Sequence, residues 1–393
     1  MRRSRLAAGG RNIFQMVREK RAEVAEKGVR LLDFSIGEPR GSALPSARKA
    51  AAEAVLSDNE SMHSYQYNAS PAVPDFSRRF IEAHIGRSLP AGDVAWLPIP
   101  GIKPTLGLLP LACGCAEHSL SVATMTRPGY PSPADWCGLL SGTRHYSLPL
   151  NPANEFRFSL ADIEPGTELL MLNYPHNPSG QVAHESWLRE ICEYCAKNDI
   201  RLFNDAAYCV LAYDKQSITL SEVATDYPEL SWAEAFTAAK LIGNGAGWHV
   251  GAMVGSPDFI TDLGIIKGKT DTGFVAPMAA GALAALENDQ AGIDHYRQMY
   301  ERRVGVFIDV LTRQGMRLAL RPRAGFFTLW LAPDRAFGEP MTDSAQFNFQ
   351  MIERTGVVGV HFPGYLRYAV CADVEAESEA IEAAFSKARV EYD

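Results

Sequence analysis

The sequence predicts an α/β fold: a mostly parallel, seven-stranded sheet with flanking helices, followed by a smaller α+β domain. Three observations predict it. The middle of the chain alternates short apolar runs with helical stretches, an order typical of parallel strands joined by crossover helices. The chain has 393 residues, more than one hydrophobic core usually serves. Beyond about residue 285 the pattern changes to one long helical stretch followed by further apolar strands.

The apolar runs of the middle region are short, and most continue without a polar residue on alternate positions. Such runs are typical of strands buried on both faces of a parallel sheet. The predicted strands lie within residues 94–99, 119–125, 143–150, 168–175, 200–208, 234–240 and 250–256. Between the fourth and fifth strands, residues 177–205 have the order turn, amphipathic helix and strand, which predicts one complete crossover unit.

Two cysteines in that predicted helix have the CxxC spacing of a metal site. However, Cys195 shares a helical face with Trp187 and Ile191, and no second cysteine pair exists to complete a zinc site. We therefore interpret Cys192 and Cys195 as small thiols that face the core, and predict no metal. Reduced thiols fit a cytoplasmic protein.

The predicted domains divide the chain into three parts. An N-terminal segment, residues 1–45, packs with the small domain; residues 46–285 form the large domain; residues 286–393 form the small C-terminal domain. The third part contains a long helical stretch at residues 294–315 and apolar strands near residues 324–333 and 365–373.

Composition excludes several classes of function. The formal net charge is −8, so the chain has no basic excess with which to neutralise nucleic-acid phosphates. No run approaches the roughly twenty apolar residues that a membrane span needs. The arginine-containing start lacks the apolar run of a signal peptide. We expect a soluble, cytoplasmic protein that binds neither nucleic acid nor membranes.

Polar residues follow several predicted strands at the point where ligands bind in open α/β sheets. They are Asn177, Asp205, Tyr208 and Lys240, and Gly101 opens a helix after the first strand. Each has an ordinary explanation by itself, such as a helix cap, a core aromatic residue or a solvated lysine. The glycines of residues 243–247 lack the full spacing of a dinucleotide-binding motif.

Seven segments taken together resemble one family. In chain order they are LLDFSIGEP (31–39), YQYNASPAVPDF (65–76), RPGYPSP (127–133), NYPHNPSGQV (173–182), NDAAY (204–208), AFTAAK (235–240) and GYLRYAV (364–370). The chain resembles the fold-type-I, pyridoxal-phosphate-dependent aminotransferases of class I/II. The segments GIK (101–103) and IKGKTDTGFVAP (266–277) are similar to the LL-diaminopimelate aminotransferase-like branch.

The resemblance implies a cofactor, pyridoxal 5'-phosphate, whose ring acts as the electron sink for amino-acid chemistry. Lys240 would hold it as an aldimine and act as nucleophile and general acid/base. Asp205 would keep the ring nitrogen protonated. Asn177 and Tyr208 would donate to the ring's phenolate oxygen, and Tyr130 would stack on the ring face.

The resemblance also implies residues for the phosphate and the substrate. Those proposed for the phosphate are the N–H groups of Ile102 and Lys103, the hydroxyl of Thr237, His249, and Tyr67 reaching from a second subunit of a homodimer. The substrate α-carboxylate would meet Arg367 as a bidentate fork, with Asn177 and the Gly37 backbone nearby.

The expected function is transfer of an amino group between an L-amino acid and a 2-oxo acid. The same cofactor also serves lyases and oxidases, and these motifs do not separate the outcomes. A third reading is a non-catalytic binding protein, because His249 replaces the family's phosphate-binding arginine and Ala239 its serine. Lys269 stands where the diaminopimelate branch has asparagine; it meets a substrate carboxylate or is simply solvated.

Overall fold

The computed structural model describes residues 13–90 and 92–393, so the first twelve residues of the predicted N-terminal segment lie outside it. The described chain forms two compact units. The smaller unit contains the residues up to Gly37 together with Arg302–Arg321 and Phe326–Asp393. The larger unit contains Glu38–Glu301 and Pro322–Gly325. The predicted domain boundaries after residues 45 and 285 stay predictions.

Strands and helices are numbered along the chain. The strands are β1 Leu32–Asp33, β2 Ala95–Ile99, β3 Leu120–Thr124, β4 Thr143–Ser147, β5 Leu169–Leu172, β6 Arg201–Asp205, β7 Trp232–Thr237, β8 Gly251–Gly255, β9 Phe327–Leu331, β10 Arg335–Ala336, β11 Glu339–Pro340, β12 Val357–Val358, β13 Val360–Phe362 and β14 Tyr365–Ala369.

The helices are α1 Ile13–Glu26, α2 Pro45–Val55, α3 Phe76–Ile85, α4 Ile102–Thr105, α5 Leu108–Ala112, α6 Ser132–Leu139, α7 Glu185–Lys197, α8 Ser221–Ala224, α9 Pro257–Lys267, α10 Ala276–Asn288, α11 Gln290–Arg313, α12 Ser344–Thr355 and α13 Ser378–Ala388. Short 3₁₀ turns include Ala238–Lys240 and Ala246–Trp248. Within the described residues, no helix is both long and apolar enough to cross a lipid bilayer.

The larger unit contains a seven-stranded sheet with the order β2-β8-β7-β6-β5-β3-β4. Neighbouring strands from β7 to β4 pair in parallel, whereas β8 runs antiparallel to both of its neighbours. Each of the seven predicted strand regions coincides with one strand of this sheet. The predicted fold class, a mostly parallel sheet with flanking helices, is confirmed.

The sheet is stable because its central strands are buried on both faces. All residues of β3, β5 and β8 are buried, which explains why these strands are largely apolar. On one face, Val122, Met171 and Phe203 pack with Leu109 of α5 and Phe259 of α9. Full burial of each large apolar side chain contributes roughly 2 kcal/mol of transfer free energy.

Helix α7 confirms the predicted crossover between β5 and β6. Its buried residues are Leu188, Ile191, Cys192 and Cys195, which recur at helical spacing. Cys192 and Cys195 are buried free thiols, as predicted from the apolar face. Burial raises the pKa of the Cys192 thiol to about 12, so this thiol stays protonated and unreactive near neutral pH.

The smaller unit is built on a three-stranded antiparallel sheet with the order β13-β14-β9. Trp330 and Tyr368 are buried in its core with Phe34, Phe307 and Phe385. The ring centroids of Phe34 and Phe307 lie 5.0 Å apart, and those of Tyr368 and Phe385 lie 5.7 Å apart. The central strand of this sheet, β14, carries Arg367.

Candidate active site

The turn after β5 is held by hydrogen bonds from its own first residue. The Nδ2 of Asn173 donates to the carbonyl oxygen of Asp205 at 3.0 Å, and the N–H of Asn177 donates to Oδ1 of Asn173 at 3.0 Å. One side chain therefore joins the ends of β5 and β6 and fixes the backbone of Asn177. Every residue from Met171 to Ala183 is buried, so this turn is part of the core.

Gly180 ends the turn at a position that only glycine fits. Its φ is +67°, in the left-handed region. A Cβ placed there would lie 2.5 Å from the Cβ of Pro322 and 2.9 Å from the carbonyl oxygen of Ala324. The N–H of Arg323 also donates to the Gly180 carbonyl at 2.8 Å. The turn therefore packs backbone to backbone against Pro322–Gly325.

Asp205 is the last residue of β6, and its side chain faces a small cavity. Tyr130, Thr126 and Asn173 also line this cavity. Burial raises the pKa of Asp205 to about 7, while the Ala207 N–H and the charge of Lys240 act in the opposite direction. Asp205 ends β6 and Lys240 follows the neighbouring strand β7, so the positive charge of the lysine favours the carboxylate form.

Tyr208 follows Asp205 by three residues. It is buried, with 7% of its surface exposed, and its ring lies beside the position of Gly325, where an added Cβ would be 3.6 Å from Cδ1. The segment that packs on Gly180 therefore also packs on Tyr208. Tyr213 contributes to the same contact, because its hydroxyl donates to the Gly325 carbonyl at 2.6 Å.

Lys240 lies at the end of a 3₁₀ turn directly after β7. The hydroxyl of Thr237 accepts a hydrogen bond from the N–H of Ala239 at 3.1 Å and so caps that turn. The cap fixes the backbone from which Lys240 extends, and the lysine itself is half-buried. A threonine in this position thus orients the lysine, in addition to the phosphate role that the family resemblance implies.

Ile102, Thr237 and His249, three of the residues predicted for the phosphate, lie at or near the adjoining ends of β2, β7 and β8. Gly101 has φ +90° and precedes α4, which starts at Ile102. A Cβ on Gly251 would lie 3.5 Å from Gly101 Cα and 2.4 Å from the Phe236 carbonyl oxygen. Two glycines therefore let these backbones approach closely. Lys103, on the first turn of α4, is exposed.

His249 is exposed and adopts a left-handed backbone, with φ +54°. It immediately precedes Val250, whose carbonyl accepts the Ala238 N–H at 2.9 Å. The structure therefore places His249 next to the turn that carries Lys240. Lys269, two residues after the end of α9, is also exposed.

Tyr67 lies on the surface of the larger unit. It is 56% exposed, has φ +48°, and its N–H donates to the Thr272 carbonyl at 2.7 Å. Its ring contacts the ring of Tyr65 edge to face, with centroids 5.7 Å apart. The tyrosine is thus presented outward on a backbone fixed by the residues after α9.

The smaller unit brings Arg367 and Gly37 into one neighbourhood. The Arg367 guanidinium donates to the carbonyl of Ser35 and lies 4.7 Å from the ring centroid of Phe327 and 5.0 Å from that of Phe14. A Cβ on Gly37 would lie 2.7 Å from the same Phe327 ring. The guanidinium is therefore oriented by stacking, and Arg367 as a whole residue is 2% exposed.

Three buried polar residues were not predicted from the sequence. Asn173, Asn204 and Glu234 lie beside the predicted residues and hydrogen-bond to the turn or to the neighbouring strand. The sequence does carry a signal for Glu234, because it interrupts the otherwise apolar strand WAEAFT. For the two asparagines, only the fold identifies their partners.

The residues of the larger unit fit a pyridoxal phosphate group. A cationic ring nitrogen suits the buried carboxyl of Asp205, whose raised pKa reflects an unmatched desolvation cost. Tyr130 is half-buried in the same cavity wall, where an aromatic ring can stack. Lys240 supplies the amine that the cofactor's aldehyde needs.

Known proteins resemble the chain over nearly its whole length. The sequence profile of the family aminotransferase class I and II matches residues 29–383. An LL-diaminopimelate aminotransferase of Moorella thermoacetica is 28% identical over 388 residues, covering 94% of each chain. That of Dehalococcoides mccartyi is 28% identical over 369 residues, covering 90% of this chain and 88% of the relative.

Solved structures share the fold. A probable N-succinyldiaminopimelate aminotransferase from Thermus thermophilus superposes with a TM-score of 0.81 at 23% identity, covering 96% of this chain and 100% of that chain. Substrate-bound BacF from Bacillus subtilis has a TM-score of 0.85 at 20% identity, covering 99% of both chains.

Proposed function

The chain belongs to the class I and II aminotransferases and is a transaminase, and we propose that pyridoxal phosphate held by Lys240 is its cofactor. The observation that carries the proposal is the buried carboxyl of Asp205 beside Lys240 at the edge of a cavity. A binding protein gains nothing from such a carboxyl, because its burial costs stability unless a cation meets it.

When bound, the cofactor supplies an electron sink for negative charge at the substrate Cα. Asp205 keeps the ring nitrogen protonated by pairing with it. Asn177 and Tyr208 orient the ring through its phenolate oxygen, and Tyr130 stacks on its face. The Lys240 amine would hold the cofactor and would move the proton to and from the substrate Cα.

The substrate's α-carboxylate is proposed to bind Arg367. A planar guanidinium recognises a carboxylate through two parallel hydrogen bonds, and the rings of Phe14 and Phe327 keep the fork from rotating. The substrates are small amino acids and 2-oxo acids. The N–H groups of Ile102 and Lys103, with Thr237 and His249, are proposed to hold the phosphate.

A homodimer is part of the proposal, since Tyr67 extends from the surface of its own subunit. We propose that its hydroxyl reaches the cofactor phosphate of the second subunit. The protein is further proposed to act in the cytoplasm, where amino acids and 2-oxo acids occur together.

The cofactor assignment is tested by the colour of the purified protein. Wild type is expected to absorb as a lysine-bound pyridoxal phosphate, and Lys240→Ala is expected to lose this absorbance and the transaminase activity. Lys215→Ala, which changes an exposed lysine, is the matched control and should keep both. A wild type that stays colourless with added pyridoxal phosphate would contradict the assignment.

Product analysis tests the reaction type. The transaminase should form one new amino acid for each 2-oxo acid released, without free ammonia. The panel of amino donors should begin with LL-diaminopimelate, N-succinyldiaminopimelate and aspartate, since the relatives and other aminotransferases are named for them. Ammonia released in proportion to keto acid would indicate a lyase or oxidase instead.

A further inference from the structure

A fully buried carboxylate lies beside the candidate site without touching the proposed cofactor residues. Glu234, in β7, is 0% exposed and pairs in register with Asn204 of β6. Consecutive strand residues point to opposite faces, so Asn204 and Glu234 lie on the other side of the sheet from Asp205. The proposed chemistry gives this carboxyl group no role.

Neutral donors surround Glu234. Its Oε1 accepts from the Nδ2 of Asn204 at 2.6 Å and from the Leu220 N–H at 2.9 Å, and its Oε2 accepts from the Ser221 N–H at 2.7 Å. Burial raises the pKa of Glu234, and these hydrogen bonds act against the rise. The carboxyl oxygens are therefore anchored at three points and hold the Asn204 amide in one orientation.

In this orientation, the Asn204 amide hydrogen-bonds to the two peptide groups that flank Tyr174. Its Oδ1 accepts from the Tyr174 N–H at 2.9 Å, and its Nδ2 donates to the Tyr174 carbonyl at 3.1 Å. The amide thus satisfies both backbone polar groups of the residue that follows Asn173. If the Asn204 amide were rotated by about 180°, its NH2 group would face the Tyr174 N–H and its oxygen would face the Tyr174 carbonyl, and neither hydrogen bond could form.

Tyr174 lies within the turn that carries Asn177. Asn173, immediately before Tyr174, bonds to the Asp205 carbonyl and to the Asn177 N–H. A shift of the Tyr174 backbone would therefore move both of these bonds. The chain of contacts leads from Glu234 through Asn204 and Tyr174 to Asn177 and the end of β6.

We infer that Glu234 and Asn204 are positioning residues that set the place of Asn177 beside the cofactor, acting through the Tyr174 backbone from the opposite face of the sheet. This inference rests on the proposed function, in which Asn177 donates to the cofactor's phenolate oxygen. Neither residue is expected to touch cofactor or substrate.

The variant Asn204→Asp tests the inference. It keeps the shape and the acceptor for the Tyr174 N–H but turns the donor into an oxygen that faces the Tyr174 carbonyl and Glu234. Because Asn177 then shifts, the pH midpoint of the bound cofactor's colour change should move by about half a unit or more. The kcat should fall by roughly tenfold or more, since small misplacements at reacting groups are costly.

Leu202→Ala is the matched control for loss of stability. Leu202 is fully buried on the same face of β6, two residues before Asn204. This control should lower the melting temperature yet keep the wild-type pH midpoint of the cofactor's colour change. An Asn204→Asp protein that lowers the melting temperature but keeps the wild-type midpoint and kcat would overturn the inference.

Two further variants cover a failure of Asn204→Asp to fold. Glu234→Gln should shift the pH midpoint of the colour change in the same direction by a smaller amount. In this variant an NH2 group replaces one carboxyl oxygen of Glu234, such as the Oε2 that accepts from the Ser221 N–H, and two donors then face each other. Combining Asn204→Asp with Glu234→Gln should move the midpoint back towards wild type, since the introduced amide can donate to the introduced carboxylate. If the double variant shifts the pH midpoint of the colour change by the sum of the two single shifts, the proposed pairing of Glu234 with Asn204 is wrong. A Glu234→Gln protein with the wild-type pH midpoint would also overturn it. A wild type without the colour change contradicts the proposed function, and with it this inference.

Discussion

Asp205 shows how burial tunes a single residue. A carboxyl group ordinarily titrates near 3.8, but loss of solvent raises the pKa of Asp205 to about 7. The nearby charge of Lys240 is not enough to cancel that cost. A cationic ring nitrogen would cancel the cost of ionising the buried Asp205. Without the cofactor, that cost lowers the stability of the protein and can be measured.

The stability of the cofactor-free protein should therefore depend on pH through Asp205. The folded-state pKa lies above the unfolded value, so the penalty is absent below about pH 4 and grows as pH rises through about 7. At full ionisation it amounts to about 4 kcal/mol. Urea unfolding from about pH 5 to about pH 8 should show wild type losing stability relative to Asp205→Asn, which has no carboxyl to ionise.

Asp135→Asn is the control for a general effect of removing an aspartate, since this residue is exposed. It should follow the wild-type pH dependence. Parallel wild-type and Asp205→Asn curves would show that burial does not raise the pKa of Asp205 as described.

At the scale of elements, the turn from Asn173 to Gly180 is fixed by its neighbours more than by its own sequence. Asn204 of β6 holds the Tyr174 backbone in its first half, and Pro322–Gly325 packs on its end. The sequence predicts a stiff turn from its prolines and glycine, yet the partners that stiffen it come from distant segments.

Gly180→Ala should be strongly destabilising. The added methyl group would meet Pro322 and Ala324 at under 3 Å and would also occupy the left-handed region. We expect a loss of roughly 3 kcal/mol in the free energy of unfolding, the sum of overpacking and backbone strain. Weaker cofactor binding should accompany it, because the turn carries Asn177.

Two other glycines separate the two causes. Gly86 has φ +69° but no atom near its absent Cβ, so Gly86→Ala should show only the backbone cost of about 1 kcal/mol. Gly247 has neither constraint, and Gly247→Ala should be close to neutral. Equal losses for Gly180→Ala and Gly86→Ala would argue against close packing on Pro322.

At the scale of the whole molecule, the proposed sharing of Tyr67 between subunits makes each site depend on two chains. Mixed dimers of Lys240→Ala and Tyr67→Phe subunits would then contain one site with both changes and one site with neither. We expect mixing to restore tight cofactor sites and activity that neither parent has, measured at limiting pyridoxal phosphate. Mixed dimers made from Lys240→Ala and Asp205→Asn subunits provide the control, because both residues belong to one subunit's site and no intact site forms.

The positions of the seven sheet strands along the chain could be predicted because local rules govern them, whereas the order of these strands in the sheet could not. Period and composition mark the buried strands, and Asn177, Asp205 and Lys240 follow strand ends that the sheet brings to one edge. Arg367 could be named only from its motif, because no local pattern distinguishes a buried strand arginine that stacks on Phe14 and Phe327.

The sequence by itself determined the fold class and the family and named the proposed reacting groups, since periodicity and motif order are properties of the chain. Only the tertiary structure decided how those groups are held. Glu234 meets Asn204 across two strands, and Gly180 meets Pro322 although the two lie far apart along the chain. Such contacts depend on which segments become neighbours, and spacing along the chain does not carry that information.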